Sequence, residues 1–422
     1  SKTTGKTDNG HTADIPALMA HLSQAAHTAL SPLAALSADT KTKAILLIAD
    51  TVDADTATIL AANAEDMREG RAKGLTAALL DRLELSPERI KGLTGGLRKI
   101  ASQPDPVGKI LDESTQPNGL TIKKVSVPLG VIGVIYESRP GVTLDASALC
   151  LKSGNAVMLR GGSEAVHTNT ALYASICKAL SAAGLPEGSI QLVPTQDRAA
   201  VGYMLGTPGI VDVIVPRGGR SLVERVERDA RVPVFAHLDG ICHLYLDHEA
   251  NMAKAHDVIV NAKLRRPGIC GALETLLVDE KALEAALPIL KDLADKGCTV
   301  RADSTIKALD PRFEAASEED WSTEYLDKIL SVRVVAGLDD AVAHIARYSS
   351  HHTDAILTDN AEKAAQFHSV VDSAIVMVNA STQFADGGEF GKGAEIGIAT
   401  GRFHARGPVG ADELTTYKYQ VS

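Results

Sequence analysis

The segment "NAVMLRGGSEA" (155–165) places a run of apolar residues directly before two glycines and a polar turn. The same order recurs in "SIQLVP" (189–194) and "VDVIVPRGG" (211–219), and each run precedes a stretch with helical periodicity. Strands that alternate with helices favour a parallel sheet with helices packed on its faces. The sequence therefore predicts an α/β fold. The helices are predicted to cover residues 165–183, 198–205 and 221–228.

The regions on either side of these units predict further structure. From residue 15 to about residue 102, apolar residues repeat at spacings of three and four, which predicts helices. A predicted helix over 251–263 leads into a second series of strands and helices, which indicates a second α/β domain. The final "ELTTYKYQV" (413–421) alternates like a strand and is predicted to pair across a subunit interface.

Bulk composition limits the classes of partner. The chain has 422 residues, enough for two or more domains, with a formal net charge of −10 and no block of like charge. This balance argues against binding to nucleic acid or to a membrane surface and favours a small-molecule substrate. The first 14 residues are polar and are predicted to be disordered. No stretch approaches the roughly 20 apolar residues of a membrane span, so we expect a cytoplasmic protein.

The cysteines do not indicate a disulfide framework, because they are odd in number and widely spaced. One of them, Cys270, follows three cations and a Pro-Gly break in "NAKLRRPGIC" (261–270). A thiol in a loop near positive charge is a candidate nucleophile, since cations favour the thiolate. Two alternatives stay open: a buried, inert thiol, and cations that only complement the end of the preceding helix. The five cysteines are Cys150, Cys177, Cys242, Cys270 and Cys298.

Two glycine turns are candidates for a dinucleotide site. "LRGGSEA" (159–165) and "VPRGGRS" (215–221) each place glycines between a strand and a helix, where backbone amides can approach a pyrophosphate. Neither matches G-x-G-x-x-G, and generic turn glycines remain the alternative. Arg160, just past its strand, can meet a ribose or its 2′-phosphate, or can be a solvated surface arginine.

Two segments gather histidines, "HLDGICH" (237–243) and "SSHHTD" (349–354). Their spacing fits no standard zinc signature. We therefore predict no metal site and assign these histidines to turns and hydrogen bonds.

Together, these and other segments resemble the aldehyde dehydrogenase superfamily, and more closely its acyl-phosphate-reducing branch, the gamma-glutamyl phosphate reductases. The resemblance runs along nearly the whole chain. It implies an NADP-binding domain over 15–119 and 135–240, a catalytic domain over 241–380, and oligomerisation strands over 120–134 and 405–422. The stretches that carry it are "DRLELSPERI" (81–90), "DPVGKI" (105–110), residues 127–165, "NAKLRRPGIC" (261–270), "WSTEYLD" (321–327), "HHTDAILT" (351–358) and "HARGPVGADELTTYKYQV" (404–421).

The resemblance also implies roles for individual residues. Cys270 is the nucleophile, and Ser138 lies where the superfamily places its oxyanion asparagine. Phosphate and substrate are expected at Lys263, Arg265, Arg266 and Asn261. The cofactor is expected at Arg160, Gly161, Gly162, Ser163, Gly218, Gly219, Ser221 and Glu324. Ser163 replaces an acidic residue near the ribose, which tolerates the 2′-phosphate of NADPH.

The resemblance implies the reduction of L-glutamyl 5-phosphate to L-glutamate 5-semialdehyde with release of phosphate, which is a step of proline biosynthesis. It also implies a homo-oligomer, and contact with a glutamate 5-kinase is a further expected partner interaction. One departure bears on this chemistry. Hydrolytic dehydrogenases carry a glutamate base in an E-L-G-G-like stretch, whereas "HLDG" (237–240) offers only His237 and Asp239. A site without that base favours phosphate over water as the acceptor. A hydrolytic NAD-dependent dehydrogenase and a non-catalytic scaffold remain the alternatives.

Overall fold

The computed structural model describes residues 14–422, in which the chain divides into two compact units. The first comprises the residues up to 218 together with 225–234 and 415–422, and the second comprises 219–224 and 235–414. Residues 1–13 of the predicted disordered segment lie outside the described residues. Its last residue, Asp14, is ordered, because its side chain accepts a hydrogen bond from Ala17 N at 3.2 Å and caps the first helix.

The first unit begins with helices, as the periodicity predicts. Serine residues begin two of them, because the Ser37 and Ser86 side chains accept hydrogen bonds from Thr40 N and Arg89 N, both at 3.1 Å. The helices that lie in this unit are α1 (Ile15–Ala34), α2 (Ala38–Ala54), α3 (Thr56–Ala72), α4 (Ala77–Leu83), α5 (Pro87–Ser102), α6 (Gly141–Lys152), α7 (Val166–Ala182) and α8 (Arg198–Gly206). The residues of α9 (Arg220–Asp229) are divided between the two units.

A four-stranded parallel sheet forms the centre of the first unit. Its strands are β3 (Val131–Tyr136), β4 (Ala156–Arg160), β5 (Ile190–Leu192) and β6 (Val213–Arg217). They run in the order β5-β4-β3-β6, and every residue of β3 and β4 is buried. The predicted α/β fold with parallel sheets is confirmed. The carboxyl ends of β3, β4 and β6 place Ser138, the first glycine turn and the second glycine turn at one edge of this sheet.

A separate antiparallel sheet joins the end of the chain to the segment 110–128. It consists of β1 (Ile110–Thr115), β2 (Thr121–Pro128) and β16 (Thr415–Val421), in the order β1-β2-β16. The sequence did not predict β1. The range predicted for oligomerisation, 120–134, was also too long, because the chain turns after Pro128 and residues from Val131 onward form the centre of the parallel sheet.

The second unit is built on a seven-stranded parallel sheet in the order β10-β9-β11-β8-β7-β12-β13. Its strands are β7 (Cys242–Leu246), β8 (Leu273–Asp279), β9 (Thr299–Ala302), β10 (Glu314–Ala315), β11 (Ile329–Val335), β12 (Thr353–Leu357) and β13 (Ile375–Val378). Its helices are α10 (Met252–Leu264), α11 (Leu283–Asp295), α12 (Ser304–Lys307), α13 (Leu338–Tyr348) and α14 (Ala361–Val370). A small antiparallel pair, β14 (Gly397–Ala399) and β15 (Gly407–Val409), completes the unit, so that residues 407–409 of the predicted oligomerisation range 405–422 lie here.

Both faces of this larger sheet are buried. Leu244 and Leu276 pack with α10 and α11 on one face, while Tyr245 and Leu277 pack with α13 and α14 on the other. Alternate side chains of one strand point to opposite faces, so β7 and β8 are fixed from both sides. The loops that enter these strands are therefore anchored to the most buried part of the unit. No helix within residues 14–422 is long and apolar enough to span a bilayer.

Candidate active site

Cys270 lies in the loop that connects α10 to β8, and its side chain is a half-buried thiol that is not in a disulfide bond. The neighbouring backbone fixes this loop. A Cβ atom added to Gly240 would lie only 2.2 Å from the Cys270 carbonyl oxygen, so the close approach requires glycine. The Cys242 thiol donates a hydrogen bond of 3.2 Å to that same oxygen. The prediction that Cys270 lies in a loop after a helix is confirmed.

The end of α10 is also held in place. The Gln383 amide donates hydrogen bonds to the Ala262 carbonyl at 2.9 Å and to the Arg266 carbonyl at 3.3 Å. Carbonyls at a helix carboxyl end lack partners within the helix, and this side chain supplies one. The loop that carries Cys270 therefore begins from a fixed point.

Two imidazoles lie beside the Cys270 thiol. One ring nitrogen each of His237 and His352 and the Cys270 Sγ atom all lie within 4.8 Å of one another. His237 Nδ1 is 2.7 Å from the Ile398 carbonyl oxygen, and the two imidazole rings pack edge to face with centroids 4.9 Å apart. The three residues precede β7, β8 and β12, which are neighbours in a parallel sheet. They therefore meet at the amino-terminal edge of the sheet in the second unit.

The two histidines differ in environment. His352 is fully buried, and its Nδ1 lies 2.8 Å from Thr353 Oγ1 while its Nε2 has no hydrogen-bond partner among the described residues. Burial, with a smaller contribution from the nearby His237, lowers the pKa of His352 to about 3. His352 is therefore neutral near pH 7.

Thiol and imidazole are also the donors that zinc takes in proteins. Two other groups of side chains within the described residues have the donor types and spacing for a metal ion: Glu65, Glu69 and His167, and Asp247, His248 and Asp279.

The three cationic side chains near Cys270 in the sequence differ in burial and in ion pairing. Lys263 is fully buried, where its ammonium group donates to the Leu273 carbonyl at 2.9 Å and lies 3.4 Å from the Glu274 carboxylate. The prediction that Lys263 binds phosphate is therefore wrong, because its charge is already enclosed and paired. Arg265 is exposed and 3.7 Å from Glu389, and Arg266 is exposed with no ion pair among the described residues. Arg265 and Arg266 therefore remain predicted ligands of the phosphate group.

Asn261 lies in the last turn of α10 and is half-buried. Its Oδ1 atom is buried without a hydrogen-bond partner in the part of the chain that the structure describes. A buried acceptor without a donor is costly unless a ligand or water supplies one. Asn261 thus remains a predicted substrate contact.

Glu324, predicted to contact the nicotinamide ribose, lies next to the Cys270 loop. Its carboxylate accepts a hydrogen bond from the backbone of Gly240, the residue that packs on Cys270. Burial raises the pKa of Glu324, and the nearby Asp239 carboxylate acts in the same direction. Asp239 itself is paired with Arg220, with Nη1 to oxygen distances of 2.6 and 2.7 Å.

In the first unit, Arg160 ends β4 and is buried. Its guanidinium donates to the Gly161 carbonyl and to the Gln196 side chain and carbonyl, at 3.2 and 3.0 Å for Gln196. Its Nε atom is buried without a partner among residues 14–422. The group is therefore held by protein acceptors at the strand end, and a ribose contact would require it to exchange at least the bonds to Gln196.

The first glycine turn is shaped by packing. A Cβ at Gly161 would lie 2.3 Å from Asn169 Nδ2, so glycine is required here by the side chain behind it. Gly162 is half-buried and Ser163 is exposed, at the start of a short 3₁₀ turn. Ser163 is the polar residue that this edge of the sheet presents to solvent.

Ser138 has a left-handed backbone conformation, with φ of 53°. Its N–H donates to Glu164 Oε1 at 2.5 Å and its hydroxyl donates to the same oxygen at 3.2 Å. Both donors of Ser138, which was predicted to lie at the oxyanion position, are thus occupied by the Glu164 carboxylate. An oxyanion role for Ser138 requires that Glu164 release it.

The second glycine turn follows β6. Gly218, Gly219 and Ser221 are all exposed, and the division between the units falls between the two glycines. Their backbone lies at the carboxyl end of a parallel strand and at the start of α9, which is the position that suits a pyrophosphate.

Sequence reasoning missed two residues of the cluster around the nucleophile, His237 and His352, and it missed the Glu164 contact to Ser138. A signal for His237 was present, because the resemblance sets "HLDG" (237–240) against the E-L-G-G-like stretch that carries the base in hydrolytic dehydrogenases. No periodicity or spacing places His352 beside it, since the two segments meet only when β7 and β12 pair.

Comparisons with known proteins agree with this geometry. A profile described as "Aldehyde dehydrogenase family" matches residues 2–308. The chain is 57% identical over 408 residues to a gamma-glutamyl phosphate reductase of Rhizorhabdus wittichii, covering 97% of this chain and 95% of the relative. It is 55% identical over 410 residues to that of Brucella anthropi, covering 97% and 96%.

The fold has also been seen in a related crystal structure. The gamma-glutamyl phosphate reductase of Thermotoga maritima superposes with a TM-score of 0.93 at 43% identity, and the match covers 96% of this chain and 98% of that one. An acetylating aldehyde dehydrogenase of Geobacillus thermoglucosidasius shares the fold at 18% identity, with a TM-score of 0.67 and coverage of 97% and 96%. The chain therefore belongs to the aldehyde dehydrogenase family, in its gamma-glutamyl phosphate reductase branch.

Proposed function

We propose that this protein reduces L-glutamyl 5-phosphate to L-glutamate 5-semialdehyde with NADPH and releases phosphate, the activity for which its relatives are named. The observation that carries the proposal is the half-buried Cys270 thiol with two imidazoles beside it, in a loop fixed by Gly240. A thiolate is the nucleophile that an acyl phosphate requires if the acyl group is to be held as a thioester.

The substrate is held by groups around this loop. Arg265 and Arg266 bind the phosphate dianion, because both guanidinium groups are exposed near Cys270 in the chain and Arg266 has no competing ion pair among the described residues. Asn261 offers its unpartnered Oδ1 to the ammonium group of the substrate. Lys263 has no part in binding, since its charge is enclosed.

Members of this family use a nicotinamide cofactor, and we propose NADPH for this chain. The exposed amides of Gly218 and Gly219 with Ser221 fit a pyrophosphate, and the buried, partnerless Arg160 Nε is a donor suited to the ribose or its 2′-phosphate. Gly161, Gly162 and Ser163 line the neighbouring turn, where no carboxylate stands at position 163 to repel that phosphate. The Glu324 carboxylate accepts from the nicotinamide ribose.

The residues of this chain carry the acyl transfer. Cys270 Sγ attacks the acyl carbon, the carbon–sulfur bond forms, and the bond to the phosphate oxygen breaks. The Cys270 backbone amide and Ser138, once Glu164 releases it, stabilise the oxyanion. When bound, NADPH supplies the hydride that reduces the thioester carbon. Cleavage of the carbon–sulfur bond then frees the semialdehyde and returns Cys270.

We further propose a homo-oligomer formed through β16 and its neighbours. Large side chains of this sheet are exposed: Ile110, Leu111, Tyr417, Tyr419 and Val421. An apolar strand edge is a template for pairing with another chain. Gel filtration of the chain cut before Leu414 tests this, and an unchanged oligomer would refute the role of the terminal strand.

The proposed compartment is the cytoplasm, where the five cysteines, all free in the structure, would remain reduced. A glutamate 5-kinase that docks on the enzyme would protect the labile acyl phosphate. Retention of the kinase on immobilised enzyme tests the contact, and no retention at micromolar concentrations would contradict it.

The reverse reaction tests the function. Purified protein is incubated with glutamate semialdehyde and NADP⁺, with and without phosphate, and the absorbance of the reduced cofactor is followed. Turnover that requires phosphate supports the proposal. Turnover without phosphate would instead indicate a hydrolytic dehydrogenase, and replacing NADP⁺ with NAD⁺ in the same assay tests the choice of cofactor.

A further inference from the structure

His237 is a titratable group beside the Cys270 thiol. In a neutral imidazole one ring nitrogen donates a hydrogen bond and the other accepts one, so the contact of each nitrogen shows which of them carries the proton. The Ile398 backbone carbonyl lies 2.7 Å from Nδ1, and a carbonyl only accepts. Nδ1 therefore carries a proton, and in the neutral ring Nε2 is left as the basic atom.

The other imidazole is a poor base. His352 is fully buried, and burial lowers its pKa to about 3. It packs edge to face against His237 with centroids 4.9 Å apart and so limits how that ring can turn. His352 is therefore a positioning residue, while His237 is only half-buried and can exchange protons with substrate and solvent.

The charged groups around the cluster are committed elsewhere. Asp239 pairs with Arg220, Glu324 accepts from Gly240, and Asp354 accepts from Ser349, Ser373 and His243 N. The Cys242 thiol donates to the Cys270 carbonyl, and burial raises the pKa of that thiol, so it stays protonated. Of the titratable groups described around Cys270, His237 is the one that lies beside the thiol and can accept its proton. Its Nδ1 atom carries a proton, and its Nε2 atom is the basic one.

Given the acyl-transfer function proposed above, on which this inference rests, we propose that His237 carries the proton of the Cys270 thiol to the departing phosphate. The geometry that supports it is the placement of one imidazole nitrogen within 4.8 Å of Sγ while Nδ1 is anchored on Ile398.

The proton balance supports this role. His237 takes the thiol proton, the thiolate forms its bond to the acyl carbon, and the electron pair of the broken bond leaves with the phosphate oxygen. Without a donor, the leaving group would depart as a trianion, but the proton from His237 makes it hydrogen phosphate. After hydride transfer, cleavage of the carbon–sulfur bond yields a thiolate, and one solvent proton restores the starting state through His237. One proton is thus consumed per reductive cycle.

The variant His237→Asn tests the proposal, because an asparagine amide can still donate to the Ile398 carbonyl but offers no basic nitrogen. The first readout is the rate of Cys270 alkylation by iodoacetamide against pH, which needs neither substrate nor cofactor. We expect the variant to react at least about tenfold more slowly at pH 7 and to recover as pH rises past about 8.5, where an ordinary thiol ionises. His248→Asn, which changes a histidine at the other edge of the sheet, is the matched control.

The second readout is kcat for the phosphate-dependent reaction, which we expect to fall by about 10²- to 10³-fold in His237→Asn, the usual worth of a general acid–base group. A purely structural role would not shift the pH of half-maximal alkylation. Alkylation that matches the wild type at every pH, together with kcat within about threefold, would overturn the proposal.

A second variant guards against misfolding. We expect His237→Gln to show the same shift in the pH dependence of Cys270 alkylation as His237→Asn. Its melting temperature should be close to that of the His248→Asn control, which shows that the variant is folded. If either His237 variant retains the wild-type pH profile while folded, the proton-transfer role is refuted. Failure of the proposed function is distinguishable, because wild-type protein would then show no phosphate-dependent turnover whatever the alkylation profiles are.

Discussion

The amino-terminal and carboxyl-terminal edges of the seven-stranded sheet hold two side-chain clusters with opposite character, each of which contains histidine. At the amino-terminal edge, His237 and His352 lie beside Cys270, and the buried His352 Nε2 has no partner among the described residues. At the carboxyl-terminal edge, His248 Nδ1 lies 2.6 Å from Asp279, and Asp247 accepts from Thr358 at 2.6 Å and Lys363 at 2.9 Å.

The difference separates a reactive site from a structural one. Open parallel sheets usually bind ligands at the carboxyl ends of their strands, and in the first unit the two glycine turns lie at those ends. In the second unit, the carboxyl edge is closed by ion pairs, while the amino edge keeps a thiol and an unpartnered imidazole atom. Unsatisfied polar atoms, more than the position in the sheet, mark the site.

Replacing Cys270 at the amino-terminal edge should have the largest effect on activity. We expect Cys270→Ala to lower the phosphate-dependent rate by at least about 10³-fold, because no other group can hold the acyl chain as a thioester. The matched change Cys177→Ala removes an exposed thiol on α7 and should leave the rate unchanged. Cofactor reduction in the reverse assay measures both, and comparable activity in the two variants would remove Cys270 from the mechanism.

The next test separates buried from exposed cations near the amino edge. Lys263→Met should lower the free energy of unfolding by about 3 kcal/mol, since it leaves the buried Glu274 carboxyl without its partner. Burial already raises the pKa of Glu274 to about 7, so part of the cost is relieved by protonation. Urea unfolding measures the change.

Arg266→Met is the matched partner of that variant. It should leave stability within about 0.5 kcal/mol and raise KM for phosphate about tenfold, because an exposed guanidinium contacts the ligand. A raised KM in Lys263→Met at unchanged stability would reverse our assignment of the two cations.

A change at the carboxyl edge should affect stability alone. Lys363→Met removes a charged hydrogen bond to the buried Asp247 and should cost about 1.5 to 3 kcal/mol. The kcat value should not change, since this edge takes no part in the chemistry. A fall in kcat with a normal unfolding midpoint would show that the two edges are not as different as the contacts indicate.

The smallest expected effect is on the loss of stability at acidic pH. The pKa of His352 is about 3 in the folded chain against 6.5 ordinarily, so below pH 6.5 the unfolded chain binds a proton that the folded chain does not. Stability is therefore lost as pH falls from 6.5 toward 3. His352→Asn should lessen this loss by about 1.4 kcal/mol between pH 5.5 and 4.5. Unfolding midpoints at the two pH values measure it, and parallel losses in both proteins would contradict it.

The sequence predicted the fold because its signals are local. Alternating strand and helix patterns with polar turns identified the parallel sheets, and the bounds of α7 and α10 came within two residues of those predicted. The strand β1 was missed because all of its residues are exposed, so it lacks the apolar alternation that marks a strand.

The site was predicted only in part, because several of its residues come together through contacts between segments that are distant in the sequence. Cys270 was recognised from the loop and cations beside it in the chain. Lys263 was misassigned because its burial depends on Glu274 in the next strand, and adjacency in sequence does not show which side of a helix faces the core. His352 reaches Cys270 only through the pairing of β7, β8 and β12.

One measurement tests the central claim most directly. Protein mixed with glutamate semialdehyde and NADP⁺ in the absence of phosphate is quenched rapidly in acid and analysed by mass spectrometry. We predict a burst of about one reduced cofactor per active site. One glutamyl group should appear on the peptide that contains Cys270 and disappear when phosphate is added before the quench. Continued turnover without phosphate, or an adduct on any other cysteine, would contradict the assignment of Cys270 as the nucleophile of a phosphate-dependent reductase.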